Sequence, residues 1–221
     1  MYTYTMDFHS QAGQDKFVVM MLKAKKNGHF LELGGYEPVN DSNTCVLEKQ
    51  LGWKGFIIEH NNVFLPKYIK ERPNSIPIIG DATQQNYRKL LDDHQFPVNM
   101  DYLQIDLDVN NRSTLTSLEI INQTVFGKYT FATVTFEHDI YTGDFFDTRV
   151  KSREIFTSRG YLRLFTDVCV FWPDHWSSFE DWYIHPALVD MKFVTSILND
   201  TENTPYIPWP KAVEIVTKHT Q

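Results

Sequence analysis

A chain of 221 residues, 42% apolar and 14% aromatic, has the length of one compact domain and ample material for a buried core. Its 21 basic and 28 acidic residues leave a net charge of −7, which disfavours a nucleic-acid backbone as partner. Two cysteines are too few for a disulfide framework, Met1 to Ser10 lacks a leader pattern, and no apolar run nears the ~20 residues of a bilayer span. The expectation is a cytoplasmic protein with no membrane contact, one domain over residues 1–221, in which Cys45 and Cys169 are buried thiols.

In chain order, residues 1–28 read as an N-terminal helical segment, followed by short strand-like runs alternating with helical spacing. Strands are expected at His29 to Gly35, Lys54 to His60, Ser75 to Asp81, Asp101 to Asp108 and Tyr129 to His138. Helices are expected between them at Ser42 to Leu51, capped by Ser42, and near Val63 to Glu71, Gln84 to Asp93, Ser113 to Thr124 and Asp147 to Ser158. Tyr161 to Val168 and Phe179 to His185 lie too close for a helical crossover and read as an antiparallel pair. The pattern predicts an α/β fold: a doubly wound, mostly parallel Rossmann-like sheet of class I methyltransferase type, with five parallel strands and an antiparallel terminal pair. Prolines at 205, 208 and 210 mark residues 199–221 as an irregular arm. Basic clusters at Lys23, Lys25 and Lys26 and at Arg149, Lys151 and Arg153 read as solvated helix faces.

Ligands of open α/β sheets bind beyond the carboxyl ends of the strands. Those ends are acidic here: Glu32 before Gly34-Gly35, Glu59-His60, Gly80-Asp81, Asp106-Leu-Asp108 and Glu137-His138-Asp139. Such an edge repels a pyrophosphate and attracts a sulfonium that carries an ammonium group, so S-adenosylmethionine is favoured over a nicotinamide cofactor. Glu59 is placed to accept from ribose hydroxyls and Asp81 from an adenine amino group.

Several segments resemble the FkbM-like methyltransferases: Ser10-Gln-Ala-Gly-Gln-Asp15, Phe30-Leu-Glu-Leu-Gly34, Ser42-Asn-Thr-Cys-Val-Leu-Glu48, Leu51-Gly-Trp-Lys-Gly55, Ile57-Ile-Glu59, Tyr102-Leu-Gln-Ile-Asp106, Phe136-Glu-His138, Gly160-Tyr161 and Phe179-Glu-Asp-Trp-Tyr183. The resemblance implies O-methylation of sugars and related small molecules. It implies a cofactor held by Gln14, Asp15, Glu32, Gly34, Gly35, Asn43, Glu59, His60, Asp81, Ala82 and Asp106. Two turns depart from the family pattern, Gly34-Gly-Tyr-Glu-Pro38 after the first strand and Asp106-Leu-Asp-Val-Asn110 after the fourth.

Methyl transfer from a sulfonium needs alignment above all, and an alcohol acceptor must also lose a proton. His138 is the first candidate base, with Asp106 and Glu137 as further catalytic candidates. Asp106, Asp108, Glu137 and Asp139 are hard oxygen ligands that could gather Mg²⁺. His175, His185, Trp172, Trp176, Trp182 and Tyr183 are candidates for an acceptor wall. The acceptor expected is a small hydroxylated molecule or glycan, with nucleic acid disfavoured. The altered turns keep a catalytically silent cofactor-binding module as an alternative, and the basic cluster from Arg149 to Arg163 keeps a nucleic-acid methyltransferase as another.

Overall fold

The computed structural model describes residues 6–201 and 204–220. Eight strands form one sheet: β1 (His29–Leu33), β2 (Lys54–Glu59), β3 (Ile76–Ile79), β4 (Asn99–Ile105), β5 (Thr130–Glu137), β6 (Leu162–Phe171), β7 (Trp176–Ile184) and β8 (Ile207–Pro208). Their order is β3-β2-β1-β4-β5-β7-β6-β8. β1 to β5 are parallel, β7 runs antiparallel to β5 and β6, and β8 lies parallel to β6. The expected five parallel strands and antiparallel pair are thus present, with the hairpin longer than its sequence pattern suggested.

Successive strand residues face opposite sides, so adjacent apolar positions serve two cores. Phe30, Tyr102 and Trp182 point to one, covered by α1 (Gln14–Met21), α2 (Cys45–Leu51), α3 (Leu65–Glu71), α7 (Met191–Thr201) and α8 (Trp209–His219). Leu31, Leu103 and Tyr183 point to the other, covered by α4 (Tyr87–Asp93), α5 (Ser113–Thr124) and α6 (Phe146–Ser158). Cys45 and Cys169 are buried free thiols, as expected. No helix among the described residues is long and apolar enough to cross a membrane.

Three sequence expectations need correction. The N-terminal segment 1–28 is helical only at α1, because positive φ at Lys23, Ala24 and Asn27 turns the chain before β1; residues 1–5 lie outside those described. The arm 199–221 is ordered: Ile207 and Pro208 extend the sheet at its edge, and Pro210 sits in the first turn of α8, where its missing N–H costs no helical bond. Residues 202, 203 and 221 of that arm are outside the described set. Finally, α2 starts at Cys45 without a side-chain cap, and Ser42 instead accepts from Arg72 Nη1 at 3.1 Å.

Candidate functional site

The carboxyl ends of β1, β2, β3 and β4 open onto two adjoining hollows of about 490 and 400 Å³ that share His60, Leu107 and Asp108. Gly34 makes the turn out of β1: its φ is +85° and a Cβ would lie 1.7 Å from the Asp106 carbonyl oxygen. At Gly35 a Cβ would lie 2.3 Å from Ile57 Cγ2. The chain is thereby pressed against the floor, and the space above it stays open.

Five carboxylates, Glu32, Asp41, Glu59, Asp106 and Asp108, line the larger hollow. Glu59 is fixed by two backbone donors, Tyr36 N–H at 2.7 Å to Oε2 and Asn61 N–H at 2.6 Å to Oε1. Each of its oxygens keeps a lone pair for a ligand hydroxyl. Asn43, 6% exposed, lines the same hollow, and its Oδ1 has no hydrogen-bond partner. Asp81 caps the turn of Ala82–Gln84, accepting from Thr83 N–H at 2.8 Å on Oδ1, with Oδ2 left for a ligand at the wall of the smaller hollow.

Burial pushes the Glu32 carboxyl up to about 7, against the opposing pull of Arg72 and the hydrogen bond donated by Thr44 Oγ1 at 2.6 Å. The folded chain therefore holds a proton that the unfolded chain, near its ordinary 4.5, gives up earlier. Charging this group costs the folded state progressively as pH rises from about 4.5 to about 7. Glu32→Gln is expected to match wild type in stability at pH 4 and to exceed it by up to about 3 kcal/mol at pH 8, measured by urea unfolding. A difference that does not change with pH would show that Glu32 is ionised throughout.

Beyond the hollow, the Glu137 carboxyl hydrogen-bonds to both Asp106 and Asp139. Burial first, and then the charge of Asp106, hold Glu137 well above the usual carboxylate range. Asp106 and Asp139 are raised too, each chiefly by burial. Glu137 is thus the central member of a cluster of three carboxyls, all of them raised.

Beneath the first turn lies a network that sequence reading missed. Arg72, fully buried, donates from Nε to Glu48 at 2.6 Å, from Nη1 to the Pro38 carbonyl at 3.1 Å and from Nη2 to Thr44 Oγ1 at 2.7 Å. Its guanidinium ties α2, the end of α3 and the 38–44 loop together behind Asn43 and Glu32.

Of the residues expected to bind cofactor, Glu32, Gly34, Gly35, Asn43, Glu59, His60 and Asp106 meet in the larger hollow, and His60, Asp81 and Ala82 in the smaller. Gln14 and Asp15 do not line either. Gln14 accepts from Ala12 N–H at 3.0 Å, and Asp15 accepts from His9 N–H at 2.7 Å and Ser10 N–H at 3.1 Å, so both brace the loop that puts Gln11 on the wall. Gln11, Tyr36 and Asp41 were not foreseen, because their placement depends on loop packing, including the Ser10 to Asp41 bridge.

His138 departs most from expectation. Fully buried, it stands on the α6 side of the sheet, with Nε2 3.4 Å from Asp167 and 3.9 Å from Asp181. It borders neither hollow. Strand alternation was the available signal, since Glu137 and His138 are neighbours and must face opposite ways. His138, Asp167 and Asp181 are the one trio among the described residues whose ligand atoms converge within 4.8 Å. Arg149 (2.6 Å to Asp167) and Arg153 (2.9 Å to Asp167, 2.7 Å to Asp181) already neutralise those carboxylates. Arg149 and Arg153 are therefore half-buried ion-pair partners and not a freely solvated face. Asp106, Asp108, Glu137 and Asp139 do not converge as the Mg²⁺ grouping required. The acceptor-wall candidates also divide: Trp182 and Tyr183 are core residues and His185 follows the far end of β7, whereas Trp172, His175 and Trp176 are exposed at the β6–β7 tip.

No family model and no curated protein matches the chain. Solved structures do. The O-methyltransferase TomG of Streptomyces achromogenes, involved in tomaymycin synthesis and in complex with SAM, superposes with a TM-score of 0.55 at 12% identity, over 81% of this chain and 82% of that one. A putative rRNA methylase of Clostridium thermocellum gives 0.52 at 12% identity, over 81% and 99%. A TehB-like SAM-dependent methyltransferase of Corynebacterium glutamicum gives 0.50 at 11% identity, over 81% and 88%. The chain accordingly has the Rossmann-like fold of these methyltransferases, with its acid-lined cleft at the carboxyl edge of the sheet.

Proposed function

We propose that this protein is an S-adenosylmethionine-dependent methyltransferase that methylates a hydroxyl of a small molecule, in the manner of the FkbM-like enzymes its sequence resembles. The observation that carries this reading is the cleft: five carboxylates and an unpartnered, buried Asn43 Oδ1, with no lysine or arginine on its wall. A ligand bearing cationic and hydrogen-bond-donating groups fits that donor set, and a polyanion does not.

In this reading Glu59 accepts from the ribose hydroxyls, Asn43 and Asp106 take the ammonium group, and Asp81 and Ala82 meet the adenine. When bound, the cofactor supplies an activated methyl group that needs only an aligned nucleophile. The acceptor hydroxyl gives its proton to the Asp106–Glu137 pair. The pair takes this role in place of His138, because it stands on the cleft side of β4 and β5. The engagement of Arg149 and Arg153 in ion pairs with Asp167 and Asp181 also supports a small acceptor, since it neutralises two cations of the Arg149 to Arg163 surface that a phosphate backbone would need.

S-adenosylhomocysteine is expected to raise the melting temperature, because a ligand that binds only the folded state stabilises it by about 2.7 kcal/mol at a hundred times its Kd. NAD is expected to have no effect. Differential scanning fluorimetry decides, and the absence of a shift at millimolar S-adenosylhomocysteine would refute the reading.

A further inference from the structure

The amino-acid end of the cofactor brings a carboxylate as well as an ammonium group into the larger hollow. The ammonium has acceptors there, whereas the carboxylate meets Glu32, Asp41 and Asp106 and, among the described residues, no lysine or arginine. A glycine turn after the first strand of such a sheet commonly offers its N–H groups to an anion. Here those donors are spent. Gly34 and Gly35 N–H donate to the Ile58 carbonyl at 3.0 and 3.2 Å, Tyr36 N–H donates to Glu59, and Asp106 N–H donates to the Leu33 carbonyl at 3.0 Å. The carboxylate is thereby left to the side-chain donors of the wall.

Four neutral side chains on that wall can donate: Gln11, Tyr36, Asn43 and His60. His60 belongs to both hollows and so stands at the nucleoside end. Tyr36 is tied to Glu59 through its backbone, with its ring edge-on to Phe64 at 5.2 Å between centroids, which keeps it beside the ribose. Asn43 presents the unpartnered Oδ1, an acceptor suited to the ammonium. Gln11 is the remaining donor. It lines the larger hollow and not the smaller, and the bridge between Ser10 and Asp41 sets its segment alongside the one that carries Asn43.

The loop around Gln11 is held from within. Fully buried Asp15 accepts from the N–H groups of His9, Ser10 and Lys16, and Gln14 accepts from Ala12 N–H. The polar groups beside Gln11 are therefore turned into the loop, while its own side chain is exposed on the wall. A donor presented by a braced loop loses little freedom when it binds. An amide also suits this acid-lined place, because it can donate to a carboxylate while accepting from the adjoining ammonium, and the neighbouring acids cannot capture it as an ion pair.

We propose that Gln11 recognises the carboxylate of the cofactor, its Nε2 donating to that group at the methionine end of the hollow, and so selects the nucleoside that carries a complete amino acid. This rests on the methyltransferase reading above.

The test titrates S-adenosylhomocysteine and S-adenosyl-3-thiopropylamine, which differ only in the carboxylate, into wild type, Gln11→Ala and Gln11→Glu by calorimetry. Gln11→Ala is expected to weaken S-adenosylhomocysteine about tenfold and Gln11→Glu about a hundredfold, the second adding repulsion to the lost donor. The decarboxylated ligand should bind Gln11→Ala as it binds wild type, and Gln11→Glu no less tightly. Residue 11 is exposed, so the unliganded variants should melt with wild type. Equal weakening of both ligands would make Gln11 a support of the loop, and unchanged S-adenosylhomocysteine affinity in both variants would place the carboxylate elsewhere. Either result would overturn the assignment and leave the methyltransferase reading standing. Failure of wild type to bind S-adenosylhomocysteine would overturn both.

Discussion

Arg72→Leu is expected to destabilise the fold by about 3–5 kcal/mol, the usual consequence of removing one partner from a buried ion pair. Leucine cannot serve Glu48, the Pro38 carbonyl or Thr44, all of which accept from the guanidinium. Glu48 would be left almost fully buried without a cation, supported only by Ser75 and the Asn74 N–H. Glu32 would lose the cation that opposes its desolvation, so its carboxyl should rise above its present value near 7. The melting temperature should fall by roughly 10–15 °C for a chain of this size. Scanning calorimetry at pH 7 checks this, and Arg72→Leu with Glu48→Met should recover much of the loss, because both charges leave together. A loss below about 1 kcal/mol would mean that water reaches the network and solvates Glu48.

Glu137→Gln is expected to lower turnover by about 10²–10⁴ with the affinity for S-adenosylhomocysteine nearly unchanged. Glutamine preserves shape and hydrogen bonding toward Asp106 and Asp139 but cannot take up a proton. The cationic cofactor should lower the carboxyl's raised pKa by favouring its charged form, so binding should release a proton and tighten with increasing pH. Turnover should rise with pH in the wild type and lose that dependence in the variant. Methyl-labelled cofactor and initial rates against an acceptor that takes the label provide the measurement. Retained turnover with an unchanged pH profile would remove Glu137 from proton transfer.

The sheet was legible in the sequence because its information is local. Apolar runs such as Phe56-Ile-Ile and Phe30-Leu end in acids and glycines that mark both the strand and its carboxyl end. Most residues that line the two hollows followed from that reading, since a residue finishing a parallel strand has little choice of location. The Arg72–Glu48 pair was illegible, because a positively charged residue at the end of a helix looks like ordinary surface until the fold brings Glu48 beneath it. The C-terminal segment was misread for a different reason: proline density argues against a helix only past the first turn, and Pro210 falls within it. Gln14 and Asp15 carry the polarity of ligand-binding groups, but they spend it on the backbone of their own loop.

The placement of α8 has a consequence for the order in which the site is completed. Gly13, at the start of α1, has Val213 and Trp209 so close that a Cβ would meet them at 2.8 and 2.9 Å, and Thr217 donates to Met20 Sδ at 3.0 Å. The loop before α1 puts Gln11 on the cleft wall. The segment around Gly13 therefore waits for one about 200 residues later in the chain to be buried, and long-range closure of this kind is slow. The strands can pair while α1 is still unanchored, so a nascent chain should hold most of its sheet before it has a finished cleft, and cofactor capture should mark the end of folding and not its middle.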